Sequence, residues 1–418
     1  MKTLLRSFVF SSLSLAMLGV LPSACTINAA DDSSNDDAGP TTLPDGALVQ
    51  PTFPFVPSNV SALGTHDLSQ IQDEVISQDC SVDTDSADFC SAYDLPGWID
   101  TQPDGTQIRV YAFKSFTLAQ TAHLTVTGSM PVVILAFGDM TINGQVLANA
   151  KGAAAGPGGF KSSAEFTKGG GPGGGTAGVI GEYNPGGSNV GGISGGGGSF
   201  CGVGGQGTKE ADASGTTPAP LASPAAYGTP SLVPLVAGSS GGEGGLSEAG
   251  GGGGAIQLVA GGAFKVSSFA FVNAGGGAGG DPGETLAQQG SGAGSGGAIL
   301  VEAMMAEIDG ALAANGGSGS GYSGVGQDGS PDANPAVGGK DNGAPQGGNG
   351  SAAATIDGAA GTTAADGSAG SGGGGAGRIR INTKSGTATV SGTISPAMTS
   401  ACGTQGMIVL ANNADAGK

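Results

Sequence analysis

Val132-Val133-Ile134-Leu135, followed about ten residues on by Ile142-Asn143-Gly144-Gln145-Val146, is the stretch whose reading decides the fold. The two-part phrase returns as Ala255-Ile256-Gln257-Leu258-Val259 with Val266-Ser267-Ser268-Phe269-Ala270. It returns again as Ala298-Ile299-Leu300-Val301 with Ile308-Asp309-Gly310-Ala311-Leu312, and as Arg378-Ile379-Arg380-Ile381 with Val390-Ser391-Gly392-Thr393-Ile394. Short aliphatic and β-branched runs bounded by Gly are strand signals, and no helical period competes with them. Alternation predicts Ile379 and Ile381 inward with Arg378 and Arg380 outward, and Ile299 and Val301 inward with Glu302 outward. Gly144, Gly310 and Gly392 fall where a corner needs either positive φ or no Cβ.

Each unit therefore reads as strand, bend, strand, bend, strand, followed by an insert. The starts at Ile256, Ile299 and Ile379 lie 43 and 80 residues apart, so the unit recurs while the insert varies in length. A solenoid behaves this way, because stacked units bury one another's apolar faces and insertions leave to one side. The expected fold is an all-β solenoid over 107–412. Earlier strands run from Ile108 to Phe113 and from Leu124 to Thr127, and Met407-Ile408-Val409-Leu410 closes the stack. The inserts near 151–251, 275–297 and 316–376 are Gly, Ala, Ser and Pro; they read as flexible loops, with Gly-rich extended helices packed side by side as the alternative.

Composition limits the core. Gly supplies 86 of 418 residues, about three times the usual ~7% share, while aromatics are 5% and charged residues 11%, so any core is thin and repeated. No Gly-X-Y period is present, which excludes a collagen reading. The net charge is -19, with two of the few cations, Lys2 and Arg6, at the N-terminus. With no basic cluster the chain cannot neutralise a phosphate backbone, and nucleic-acid binding is rejected.

Lys2 and Arg6, the apolar run from Phe8 to Leu21 and the small residues before Cys25 read as a signal peptide over 1–24. Leu21-Pro22-Ser23-Ala24-Cys25 resembles the lipobox of bacterial lipoproteins, which implies lipidation of Cys25. It departs from that pattern in having Leu four residues before Cys and Pro22 in the usual leucine position, so cleavage after Ala30 by an ordinary signal peptidase is the alternative. Residues 25–60, with Asp31-Asp32-Ser33-Ser34-Asn35-Asp36-Asp37, read as an acidic disordered tether. Residues 61–106 read as an N-terminal cap, with Ile71, Val75 and Ile76 on one short helix. Lipidation of Cys25 leaves four cysteines, an even set for disulfides in an oxidising compartment. Four allow three connectivities; proximity favours Cys80 with Cys90, which pairs Cys201 with Cys402.

The phrase from Phe113 to Ala150, with the later returns of Gly-Gly-Ala-Ile and Ile-x-Gly, resembles Gly-rich secreted or lipoprotein β-helix proteins common in myxobacteria and their relatives. It is also similar to the right-handed parallel β-helix of filamentous haemagglutinin-type adhesins. The resemblance covers about residues 60 to 410. It implies that fold and names no catalytic residue.

Few residues carry chemistry. Asp83, Asp85 and Asp88, inside the Cys80 to Cys90 loop, offer hard oxygen ligands suited to Ca²⁺, although the loop lacks the Gly and distal Glu of an EF-hand. Gly238-Ser239-Ser240-Gly241-Gly242 matches a nucleophile elbow only by letters, since no helix can follow it. His66 and His123 are the only histidines, and neither joins a zinc-ligand cluster. The carboxylates of Asp139, Glu302 and Glu307 are dispersed along the chain, Asp309 sits in a Gly corner, and Arg109, Arg378 and Arg380 are the only arginines beyond Arg6. The expectation is a non-catalytic, exported envelope lipoprotein at the outer membrane or cell surface, or a secreted soluble form. Its role would be structural, adhesive or matrix-interacting, and it would hold no cofactor beyond Ca²⁺. Its partners are the membrane through the lipid anchor and extracellular polysaccharide or cell-surface glycans. The alternatives are a polysaccharide lyase or hydrolase and a Ca²⁺-binding surface protein.

Overall fold

The computed structural model describes residues 51–61, 63–90, 97–162, 167–179, 192–209, 222–245, 247–280, 289–321, 324–341, 344–363 and 369–411. The signal peptide, Cys25 and the acidic run 31–37 lie outside the described residues. Among the described residues the fold is all-β, with the three-residue 3-10 turn Leu63–Thr65 as its one helical element.

The repeats of the sequence become three parallel ladders. In the first, Gln107–Phe113, Val132–Ala136, the first half of Ala255–Val266, the first half of Ala298–Ile308, Arg378–Thr383 and Gly403–Met407 pair in that order. The second runs from Asp73–Ile76 through Ser115–Leu118, Met140–Ile142 and the second halves of the same two long strands to Thr389–Val390. The third joins Cys80–Asp83, His123–Thr127, Gln145–Leu147, Phe271–Asn273, Ala311–Ala313 and Thr393–Ser395. Each pass of the chain visits the ladders in the same order. A bulge between Ala260 and Ala263 bends the long strand from the first ladder into the second.

Pairing is in register with the sequence phrase. Ile256, Ile299 and Ile379 stack on Val132, and Ile142, Val266, Ile308 and Val390 stack in the second ladder. Inward side chains form one aliphatic core in which Ile134, Leu258, Val301 and Ile381 are fully buried. Removing such side chains from water supplies about 25 cal/mol per Å² of apolar surface, and stacking lets a thin core accumulate it turn by turn.

Several sequence expectations change. Ile71, Val75 and Ile76 do not share a helix: Asp73–Ile76 is a strand with alternating burial, because Ser115–Leu118 offers it a parallel edge. Residues 73–83 thus supply the first turn, and no separate cap stands apart from the unit spanning Gln50–Lys418. Residues 51–60 do not belong to a disordered tether. Phe55–Val56 pairs antiparallel with Val409–Leu410, and Phe55, Val60 and Leu68 bury a second apolar cluster against Val110, Val133, Leu135 and Val259 on the outer side of the first ladder. The stack is closed by Gly403–Met407 rather than by 407–410, whose last residues meet this returning N-terminal segment. In the second phrase Val272, not Ala270, continues the column of Val146 and Leu312, since that corner is two residues longer. Glu302 does face away from the aliphatic core, yet it is buried under the N-terminal segment. Ser58 donates to it from N (2.8 Å) and Oγ (2.7 Å), Gln257 Nε2 at 2.8 Å and Asn382 Nδ2 at 3.1 Å.

The described parts of the Gly-rich inserts are packed segments, not flexible loops. Gly292 and Ser295 donate to Gly242 and Ser239, Ala293 and Gly296 to Gly372 and Gly375, and Gly294 and Gly297 to Gly277 and Ala274. Residues 372–377 repeat the pattern toward three other neighbours. A partner change at each residue with return at every third is the period of a three-residue-per-turn extended helix, not of a sheet. The segments touch backbone to backbone: a Cβ on Gly294 would run into the Gly251 carbonyl oxygen. The disulfide Cys201–Cys402 ties this region to the last strand of the first ladder, and Cys80–Cys90 closes its short loop, with Cα separations of 5.7 Å and 5.3 Å.

Two stability outcomes are expected. Gly294→Ala costs at least about 2 kcal/mol, since backbone must move, whereas Gly64→Ala, with open space around it, changes denaturant stability by less than about 0.5 kcal/mol. Glu74 is inward-facing and buried, and burial pushes its carboxyl above the usual range. A raised carboxyl destabilises only where the unfolded chain ionises first. Glu74→Gln is therefore expected to raise Tm at pH 7 and to lose that advantage once pH falls below the ordinary Glu range of about 4.3, as scanning calorimetry at both pH values would read.

Candidate functional site

The outer face of the second ladder carries an in-register polar column: Thr117, Thr141, Lys265, Glu307 and Thr389. At its edge the chain turns into the third ladder through corners of two lengths. Six positions separate the stacked aliphatics Leu118 and Leu124, and likewise Val266 and Val272; four separate Ile142 and Val146, and Ile308 and Leu312. The long corners stand out and the short corner between them is recessed. The short corner needs no Cβ, because Gly144 lies against the carbonyl oxygens of Ala119 and Ala122 in the long corner beside it. Its φ is not positive, so of the two reasons for glycine the close approach is the one that applies.

The recess is an open groove of about 590 Å³ lined by Thr117, Ala119, Gln120, Asn143, Lys265, Ser267, Ser268 and Asp309. Lys265 Nζ lies 3.0 Å from Glu307 Oε1 and 3.5 Å from Asp309 Oδ2. Ser391 Oγ donates to Asp309 Oδ1 at 2.6 Å, and Ser267 Oγ to Asn143 Oδ1 at 2.6 Å. The hydrogen bond from Ser391, together with the neighbouring Glu307 carboxyl and Lys265, holds the Asp309 carboxyl below its usual range; the hydrogen bond to Glu307, with both negative charges nearby, holds the Lys265 ammonium above its own. Asp309 is therefore ionised near neutrality. A general acid needs a carboxyl raised toward the working pH, so this carboxylate is suited to accepting hydrogen bonds rather than to donating a proton.

Reading the chain linearly scatters these charges, yet the structure gathers Lys265, Glu307 and Asp309. Two signals carried the information: Glu307 and Asp309 are two apart near the end of one strand, and Lys265 occupies the position of Glu307 one repeat earlier. Asp139 stays apart and accepts the Ala263 amide at 2.7 Å.

The Asp83, Asp85 and Asp88 side chains are each turned to a local donor. Asp83 accepts the Asp85 amide at 3.0 Å, Asp85 accepts the amide and hydroxyl of Ser129, and Asp88 accepts Ser86 Oγ at 3.3 Å. Among the described residues no group of three or more His, Cys, Asp or Glu is arranged to hold a metal ion. Ser239 and Ser240 are fully buried, and Ser239 Oγ donates to Tyr227 Oη at 2.9 Å, so no nucleophile is presented there. Arg109 is buried, donating to the carbonyls of Thr84 and Gly97. His123 Nδ1 lies 3.0 Å from Asp79 on the surface, and His66 stacks on Trp98 at 4.4 Å. Among the described residues no helix is long and apolar enough to cross a membrane. No protein-family model, curated protein or solved structure matches the chain.

Removing the Ser391 hydroxyl withdraws the leading cause of the low Asp309 titration. In Ser391→Ala the Asp309 carboxyl is expected to titrate at higher pH, read from its carbon chemical shift across an acid titration. An unchanged midpoint would show that Glu307 and Lys265 set it without Ser391.

Proposed function

We propose that this chain is a non-catalytic, exported envelope protein, lipid-anchored at Cys25, whose right-handed parallel β-helix presents a polar groove to extracellular polysaccharide. The observation that carries the reading is that groove. Donors and acceptors from four successive turns, Thr117, Asn143, Lys265, Ser267 and Asp309, line one open recess suited to an extended hydroxyl-rich chain. The right-handed β-helix rests on three ladders visited in constant order, since parallel strand–crossover–strand connections are right-handed almost without exception. Likeness to the Gly-rich β-helix proteins of myxobacteria and to haemagglutinin-type adhesins points the same way. Two disulfides fit an oxidising compartment outside the cytoplasm.

The test is affinity electrophoresis of the mature chain through gels holding neutral, amino-bearing and acidic polysaccharides, with assays for reducing ends and unsaturated uronate. Retardation without turnover, weakened in Lys265→Met, is the expected outcome. Turnover of any polysaccharide would replace this reading with the enzyme, and absence of retardation in every gel would end it. Intact mass of the membrane fraction reads the anchor separately. A diacyl or triacyl species beginning at Cys25 is expected, and an unmodified start near Asp31 would make the protein soluble and secreted.

A further inference from the structure

In the long corner that lines the groove through Ser267 and Ser268, the next residue, Phe269, is 92% exposed and holds φ at +69°. The amide of Ala270 donates back to the Ser267 carbonyl at 3.0 Å, so Ser268 and Phe269 are the central residues of a tight turn. Phe269 thus occupies the position where a type II turn takes Gly or Asn. A bulky residue in the left-handed region is strained, and strain of that kind persists where the surroundings or function hold it.

Nothing inside the fold accounts for it. Of the other non-Gly residues at positive φ, Leu232 is fully buried, Cys90 is cross-linked to Cys80, Asn59 is of a type that tolerates the region, and the Ala353 amide is held by Ser395 Oγ at 2.7 Å. Phe269 has neither burial nor a cross-link. Nor does the corner require it. The other long corner closes with the same hydrogen bond, Ala122 donating to Ala119 at 3.0 Å, through Gln120 and Thr121 with neither at positive φ. A strained aromatic side chain is displayed to solvent beside a recess of hydrogen-bonding groups.

We infer that Phe269 is a stacking platform for a sugar ring, and that the groove takes a pyranose chain free of carboxylates, either neutral or amino-bearing. The inference rests on the polysaccharide reading above and narrows it. An aromatic face covers the apolar C–H face of a pyranose while the ring hydroxyls turn toward Asn143, Ser267 and Lys265. Charge sets the class. The one ammonium of the groove lies between two carboxylates, at 3.0 and 3.5 Å, on a chain of net charge -19, so a uronate chain would meet like charge with its only counter-ion engaged.

The test titrates the mature chain with hexamers of glucose, glucosamine and galacturonate by calorimetry, beside Phe269→Ala and Phe269→Gly. The expected result is binding of the glucose or glucosamine hexamer, about tenfold weaker in both variants, and no binding of galacturonate. Phe269→Gly is also expected to melt no lower than the wild type, because glycine relieves the backbone, and this separates lost binding from lost folding. Unchanged affinity in the variants would overturn the platform, and preference for galacturonate would overturn the charge argument; both leave polysaccharide binding standing. Failure of all three hexamers would remove the inference, and the polysaccharide reading would fall with it if no polysaccharide gel retarded the protein.

Discussion

Parallel pairing of each turn with the turns on either side is the constraint from which the other features follow. A strand in the middle of the stack satisfies its backbone N–H and C=O groups only if its neighbours lie in register. Register then stacks like on like: Val132, Ile256, Ile299 and Ile379 in the first ladder, and Ile142, Val266, Ile308 and Val390 in the second. It also brings the inserts together. Every strand of the first ladder from Ala255 onward to Arg378 is entered from a Gly-rich segment, and Ala298 and Arg378 donate to Gly254 and Gly297 of the preceding turn. The glycine segments are neighbours because the strands they feed are neighbours.

That arrangement explains how a chain with so few large side chains forms a buried interior. In the ladders the interior is aliphatic. Among the inserts it is backbone, and stability there comes from hydrogen bonds made at distances that only residues without Cβ permit. The entropy lost by ordering glycine is offset by the backbone hydrogen bonds of the described segments and by the Cys201–Cys402 link, which joins residues 201 apart in sequence. On the other side, the segment from Phe55 to Ser61 starts against Val409–Leu410 and crosses the first ladder toward its earlier strands. Glu302 is the polar centre of that crossing, a buried carboxylate whose partners Ser58, Gln257 and Asn382 come from three separate parts of the chain.

The groove arises from the same stacking. Alternating long and short corners make a recess wherever a short one is flanked, and parallel pairing places Lys265 over Glu307 without any local motif. Phe269 goes against the economy of the rest. The aliphatic columns and the glycine segments use the least strained residue available, whereas this position carries a strained and exposed one. Local conflict inside an otherwise consistent structure marks a place shaped by something other than folding.

Four repeats of a strand phrase with Gly-bearing corners determined the all-β class, the stacking of those phrases and the inward set of aliphatics, because period-two alternation and repeat spacing are local properties of a chain. Cysteine parity and proximity likewise pointed to Cys80–Cys90 and Cys201–Cys402. Only the tertiary structure decided the rest. It set residues 73–76 as strand rather than helix, because an edge four residues long was waiting at Ser115–Leu118. It buried Glu302 beneath residues 244 positions earlier in the chain, brought Lys265 against Glu307 and Asp309 of the next turn, and packed the described glycine segments into an ordered interior. The physical reason is common to all four: each depends on which distant backbone lies alongside, and polyglycine looks the same in sequence whether its amides face water or one another.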